Sequence, residues 1–326
     1  NLWATYEYGK HTIRGKSELT FNEENQTSGL DKDYATAWSY GVAETFSLMI
    51  PNIQGGASKP IGENQKALEQ VDRNLRNSVA NSYQYFGDQP FTSGPVYVGA
   101  LVVFLFILGM FILEGRLKWI LFTATVLSIL LAWGKNFMFL TDIFLEYFPM
   151  YNTFRAVSMT LVIAELCIPI VAILALQKIL NKPGIIKKNR KEFLISLGLT
   201  AGISLIFYIL PTAFFNFLSE QEASTFASYK NSGQYDPAQI DMYVSNLEAA
   251  RIYIFKADAI RSFLFILTGA VIVWLYSSKK IQKPLFIAGI ILIILIDMIV
   301  VNKRYLNNDN FVRKTKVEKP YQITQA

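Results

Sequence analysis

Between residues 96 and 301 the chain returns again and again to apolar stretches about as long as a bilayer is thick: 96–113, 118–134, 154–177, 192–217, 259–278 and 284–301. A run of about 18 or more residues with almost no charge is read as a membrane-crossing helix, because in hydrocarbon the backbone must satisfy its own hydrogen bonds. The first and last runs are close to the minimum for an untilted span. The expected fold is an all-α polytopic membrane protein, with about six transmembrane helices and a partly helical extracytoplasmic loop domain. A composition that is 52% hydrophobic agrees with that class.

Charge placement sets the expected orientation. The loops after the first, third and fifth runs are short and basic. They carry Arg116 and Lys118, then Lys178, Lys182, Lys187, Lys188, Arg190 and Lys191, then Lys279, Lys280 and Lys283. The positive-inside rule puts these loops in the cytoplasm. By parity 1–95, 135–153, 218–258 and the tail from Asn302 lie outside. The same placement accounts for the net charge of +6 without nucleic acid as a partner. The single cysteine, Cys167, lies inside an apolar run and the single histidine is His11, so neither an intrachain disulfide nor a zinc cluster is expected. The chain starts at Asn1 and ends in the polar "VEKPYQITQA", and it is read as an internal piece of a longer polypeptide.

Three regions follow: 1–95 as an extracytoplasmic loop region, 96–301 as the transmembrane region with the outer loop 218–258, and 302–326 as the start of a truncated C-terminal extracytoplasmic domain. In the first, Trp38, Val42, Phe46 and Met49 have near-helical spacing and predict an interfacial helix ending at Pro51. Leu68, Val71, Leu75 and Val79 predict a second, amphipathic helix. Asp236, Pro237 and Gln239 read as a helix start, and that helix is expected to run into the fifth span. It carries Arg251, Asp258 and Arg261 on one stripe about 80° wide. The stripe is either an Asp258–Arg261 ion pair with interfacial anchoring or a substrate contact.

In "YFPMYNTFRAVSMTLVIAEL" the third span carries two charges. Continued as a helix, it places Arg155, Ser158, Val162, Glu165 and Pro169 on one face, predicted to point away from lipid. A guanidinium at the rim of such a cavity matches phosphate oxygens; the alternatives are snorkelling to headgroups or a carboxylate partner. Glu165 is expected to be paired or protonated inside the bundle, with a proton relay as the second possibility. Asp297 is expected at the interface. No repeat, P-loop or Gly-rich dinucleotide turn occurs.

Taken in order, "TIRGKSELT", "GLDKDYATAWSYGVAETFSLMIPNIQGG", "YFGDQPFTSGPVYVGA", "FPMYNTFRAVSM", "DAIRSF" and "IDMIVVNKRYLNNDNF" resemble the YfhO-like family of bacterial membrane proteins in its long Bacteroidetes form. The resemblance covers essentially the whole chain. It implies a fold like that of the C-type-fold (GT-C) glycosyltransferases, which take a sugar from a polyprenyl-phosphate donor on the outer face of the inner membrane. The acceptor would be a surface glycan, a lipid or a protein. The resemblance places the catalytic acidic residue in a first outer loop upstream of Asn1. It implies that Arg155 contacts the lipid phosphate, with Glu44 as a second candidate for sugar hydroxyls or a divalent cation such as magnesium or manganese. Asp31 and Asp33 are weaker candidates in a Gly-Leu-Asp turn. The alternative function is a non-catalytic lipid-linked-sugar transporter or an envelope-complex scaffold subunit.

Overall fold

The computed structural model describes residues 2–12, 14–15, 25–312, 314 and 317. Much of "TIRGKSELT" and about half of the tail 302–326 lie outside these residues. The described residues form helices, joined by loops, with no strand beyond one isolated bridge between Pro60 and Tyr83. In chain order the helices are α1 (Leu2–Tyr8), α2 (Lys32–Ala35), α3 (Gln65–Leu68), α4 (Arg76–Ala80), α5 (Ala100–Ile112), α6 (Leu117–Ala132) and α7 (Met138–Tyr147). There follow α8 (Val162–Asn181), α9 (Arg190–Ile209), α10 (Glu220–Asn231), α11 (Pro237–Ser277) and α12 (Lys283–Tyr305).

Four helical segments are long and apolar enough to cross a membrane: Val157–Asn181, which contains α8, together with α9, α11 and α12. The second expected span is not straight. Leu117–Ala132 turns through 113° into Gly134–Tyr147, so much of the predicted loop 135–153 is helical. Gly134 makes the bend. Its φ is +48°, and a Cβ there would lie 2.2 Å from Ser39 Oγ. The first expected span is a 13-residue helix, α5. Leu101, Phe104, Leu105 and Leu108 on it are fully buried, as suits a helix that is apolar all round and sits at the centre of a bundle.

α5 packs against α8 and α11, α6 against α8, and α11 against α9 and α12. Small residues bring the backbones together. A Cβ on Gly109 would meet Val171 Cγ1 at 2.9 Å and Ala175 Cβ at 3.2 Å, so α5 and α8 cross closely there. α9 carries a π-helical turn at Gly198–Gly202. α11 starts as predicted: Asp236 Oδ1 accepts from Ala238 N at 2.9 Å, Pro237 is the first helical residue, and the helix runs for 41 residues without a break.

The loop layer of residues 30–98 sits on one end of this bundle. Its backbone is fastened to the bundle by Tyr40 N to Ala132 O (2.8 Å) and Ser262 Oγ to Met49 O (2.8 Å), and internally by Val98 N to Leu48 O (3.1 Å). The predicted interfacial helix is absent; Ala43–Leu48 is a 3-10 turn that buries Leu48 and is followed by buried Met49. The predicted amphipathic helix is broken into α3 and α4. Val71 and Val79 are nonetheless buried against Leu247 and Ile254 of α11, so the apolar spacing marked the core face correctly. The basic loops lie at the opposite end, where Ser277 Oγ donates to Pro183 O at 2.5 Å.

Candidate functional site

Glu44 stands on the 3-10 turn Ala43–Leu48 and is 4% exposed. Its Oε2 accepts from Gly41 N at 2.8 Å and its Oε1 from the Tyr85 hydroxyl at 2.7 Å. Two glycines make room for it. A Cβ on Gly87 would fall 2.4 Å from the Tyr85 hydroxyl and 2.7 Å from Glu44 Oε1, and a Cβ on Gly41 3.3 Å from both Glu44 Oε2 and Asp88 Oδ2. Burial pushes the Glu44 carboxyl up to about 7, against the two hydrogen bonds and with help from the nearby Asp88 charge. The Tyr85 hydroxyl in turn accepts from Gln89 N at 3.0 Å, so the carboxylate holds the 85–89 turn in place.

That turn floors a cavity of about 1180 Å³ at the loop end of the bundle. One wall is the 83–93 segment, with Tyr83 (58%) and Phe91 (59%) presenting exposed rings. The opposite wall is the first turns of α10, including Glu220, Gln221 and Glu222; Lys59 and Lys135 also line the cavity. Asp88 lines it too, and its Oδ2 accepts from Asn136 Nδ2 at 2.8 Å. Glu44 itself faces a side cavity of about 10 Å³, room for about one water, which shares Tyr85, Gln89 and Thr92 with the large one.

Arg155 is exposed at the edge of this region. Its Nη1 donates to the Tyr34 hydroxyl at 2.8 Å, and its guanidinium lies 4.9 Å from the Trp38 ring centre and 5.6 Å from that of Tyr34. Among the described residues no carboxylate pairs with it. Trp38 packs edge-on to Phe91 at 5.2 Å, so Arg155 stands behind one wall of the cavity. The expected shared helical face with Glu165 does not form. Ala156 is left-handed (φ 74°) and 157–161 is a 3-10 turn, so the α-helix begins only at Val162 and Arg155 precedes it. Glu165 and Val162 lie on a face of α8 that this chain leaves uncovered.

The other sequence candidates are drawn into structural pairs. Arg251 is 0% exposed and all five of its donors are occupied: Nε and Nη2 on Tyr83 O (3.2 and 2.8 Å), Nη1 on Phe217 O (2.8 Å), and Nη1 and Nη2 on Glu222 (2.8 and 2.7 Å). No donor is left for substrate, so Arg251 is corrected to a clamp that joins α10, α11 and the Tyr83 loop. The pair holds the Glu222 carboxyl below the usual range, although burial opposes this. Asp258 does not pair with Arg261. It binds Arg304 of α12 at two points and accepts from Asn52 N at 3.2 Å. Arg261 pairs with Asp297, and its unbonded Nε and Nη1 lie in a guanidinium held over the Tyr97 and Phe265 rings. Asp297 is therefore not interfacial. It is 1% exposed and also accepts from the Tyr97 hydroxyl at 2.8 Å.

Asp31 and Asp33 belong to the start of α2. Asp31 Oδ1 caps it, accepting from Asp33 N at 3.0 Å, and Asp33 Oδ2 accepts from Asn25 Nδ2 at 2.7 Å. Neither lines the cavity. The divalent-cation reading of Glu44 finds no support in the donor set. Both its oxygens already accept hydrogen bonds, and among the described residues no three His, Cys, Asp or Glu side chains converge on a metal position.

Asp88, Lys135, Asn136 and α10 carry no site motif of their own in the sequence. One available signal was Ser219-x-x-Glu222, a capping box that forms as such: Ser219 N donates to Glu222 Oε2 at 2.9 Å and Glu222 N to Ser219 Oγ at 3.2 Å. No protein family, curated protein or solved structure matches this chain.

Proposed function

We propose that the protein is a membrane-embedded glycosyltransferase of the GT-C kind, which binds the sugar of a polyprenyl-phosphate donor at the loop end of its bundle and passes it to a cell-envelope acceptor. The observation that carries this reading is the large cavity set directly on a helical membrane bundle. Exposed rings with carboxylates, amides and lysines suit a polyhydroxylated ligand, because the rings pack against its C–H faces and the planar polar groups hydrogen-bond its hydroxyls. Arg155, exposed and with no carboxylate partner among the described residues, suits the donor phosphate, where its forked donors would stabilise charge as that phosphate leaves.

In the reaction the acceptor oxygen bonds to the anomeric carbon, the bond from that carbon to the phosphate oxygen breaks, and polyprenyl phosphate departs. The acceptor proton goes to the acidic base that the resemblance implies. Asp88 would hold sugar hydroxyls and Asn136 would fix its orientation.

A second reading, a transporter or scaffold subunit within a larger assembly, is favoured by the uncovered face of α8. There Glu165 stands among Val162 (63% exposed) and Leu166 (63%), and a carboxylate on an apolar membrane face calls for a covering helix.

The test compares polyprenyl-phosphate-sugar binding by the full-length protein in nanodiscs with that of Arg155→Ala, Arg155→Lys and Asp88→Asn. The enzyme reading expects Arg155→Ala to lose about 2 kcal/mol or more, the scale of a charge-assisted contact, with Arg155→Lys between it and wild type. A folded wild type that binds no donor would move the scaffold reading ahead.

A further inference from the structure

At the end of the bundle opposite the loop layer, a second cavity of about 350 Å³ opens between the α5–α6 turn and the last two turns of α8. It has the size of a small-ligand cleft. Its composition is layered. Leu113 and Leu117 flank it from the turn, Leu174 lies on its α8 side, and Lys118, Lys178 and Lys182 line its polar side together with Glu114, Gln177 and Asn181. Leu174 and Lys178 stand four residues apart on one face of α8, about 6 Å along its axis, and Lys182 follows directly after the last helical residue, so the wall changes from apolar to cationic.

The depth of this cleft is marked by Trp119, which is 57% exposed next to Lys118, with the exposed apolar Ile120 (63%) beside it. An exposed indole and a lysine at the end of an apolar helix are the usual occupants of the headgroup level. The cationic side is only lightly committed to the protein. Lys178 Nζ contacts Glu114 Oε1 at 2.7 Å, but Glu114 is 89% exposed, and such surface pairs contribute little. Lys118 donates to Met110 O at 2.8 Å, and among the described residues the Lys182 ammonium makes no hydrogen bond, its backbone alone closing the end of α8 on Lys178 O. Lys178, with Lys182 and Lys188 behind it, holds the exposed Glu114 carboxyl below the usual range, a sign of how positive this corner is.

We propose that this cleft is a binding site for an anionic phospholipid, its phosphodiester held by Lys118, Lys178 and Lys182 and the start of an acyl chain laid along Leu113, Leu117 and Leu174. Basic residues near a membrane attract any anionic surface. The apolar wall directly below these three lysines, within one cavity, is what sets the cleft apart from the other basic loops at this end.

The test is native mass spectrometry of the purified full-length protein, offered phosphatidylglycerol and phosphatidylcholine at equal concentration. Wild type is expected to retain phosphatidylglycerol several-fold over phosphatidylcholine. Lys178→Gln with Lys182→Gln should at least halve that preference, and Lys279→Gln with Lys280→Gln, on the same end but outside the cleft, should leave it unchanged. Glu114→Gln, which removes the competing carboxylate, should raise it, and this variant guards against loss by misfolding. Equal retention of the two lipids by wild type, equal losses in the two lysine pairs, or displacement by soluble glycerol phosphate at the lipid's own concentration would each overturn the site.

Discussion

Asp258 of α11 and Arg304 of α12 form a two-point ion pair, Nη1 to Oδ2 at 2.6 Å and Nη2 to Oδ1 at 2.8 Å, at the level where the loop layer meets the bundle. Asp258 is 2% exposed, and its Oδ2 also takes the backbone N–H of Asn52, so the pair fixes two helices and the loop layer at once. Three residues along α11, Arg261 reaches Asp297 of the same partner helix. The α11–α12 interface is thus held by two ion pairs of opposite polarity.

Removing one member of a buried pair strands the other's charge. Arg304→Ala is expected to destabilise by about 3–5 kcal/mol, because it leaves Asp258 buried and unpaired. Asp258→Asn should cost less, since Arg304 is partly exposed and can turn to water. Thermal unfolding in detergent checks the order, and equal midpoints for the two variants would refute it.

The Arg251 clamp depends on the shape of the guanidinium as well as its charge. Arg251→Lys keeps the charge but offers at most three donors to three acceptor groups spread around the site, so it should lower the unfolding midpoint almost as far as Arg251→Ala. Limited proteolysis would then open the Tyr83 loop and α10 first. A lysine variant as stable as wild type would show that charge alone suffices.

Glu44 gives a pH dependence whose sign can be worked out. Its carboxyl is raised from 4.5 to about 7 in the folded protein, so the folded state binds the proton more tightly than the unfolded chain. The contribution is fully present below about pH 4.5 and is lost as pH rises through about 7, by an amount of order 3 kcal/mol. Glu44→Gln should flatten the stability profile between those values. Unfolding midpoints measured from pH 4.5 to 8 decide it; a profile unchanged by the substitution would remove Glu44 as its source.

Two glycines carry close approaches that a methyl group forbids. Gly269→Ala puts a carbon 2.2 Å from Leu101 Cδ1, where α11 crosses α5, and overpacking of this kind costs about 1–3 kcal/mol. Gly87→Ala should leave the bundle intact and displace Tyr85 from Glu44, which would show as altered tyrosine protection in the loop layer. Gly184, with nothing within 4 Å of a Cβ, is the control expected to tolerate alanine.

The sequence by itself determined the membrane class, the start of α11, the buried positions Val71 and Val79, and the gathering of lysines into the short loops. These are local properties: apolar length, capping chemistry and periodicity are fixed by neighbours a few residues away. Only the tertiary structure decided which charges pair. Asp258 and Arg261 are three apart and read as partners, yet each finds its counterion on α12, in Arg304 and Asp297, about 40 residues along the chain. Helical extrapolation from Glu165 back to Arg155 failed for a related reason: the left-handed Ala156 and a 3-10 turn break the register, held by Ser158 N on Trp38 O and Thr160 Oγ1 on Ser128 O. The cavity was equally out of reach, since its walls come from 57–59, 83–93, Lys135, α10 and Tyr305, and only packing brings them together.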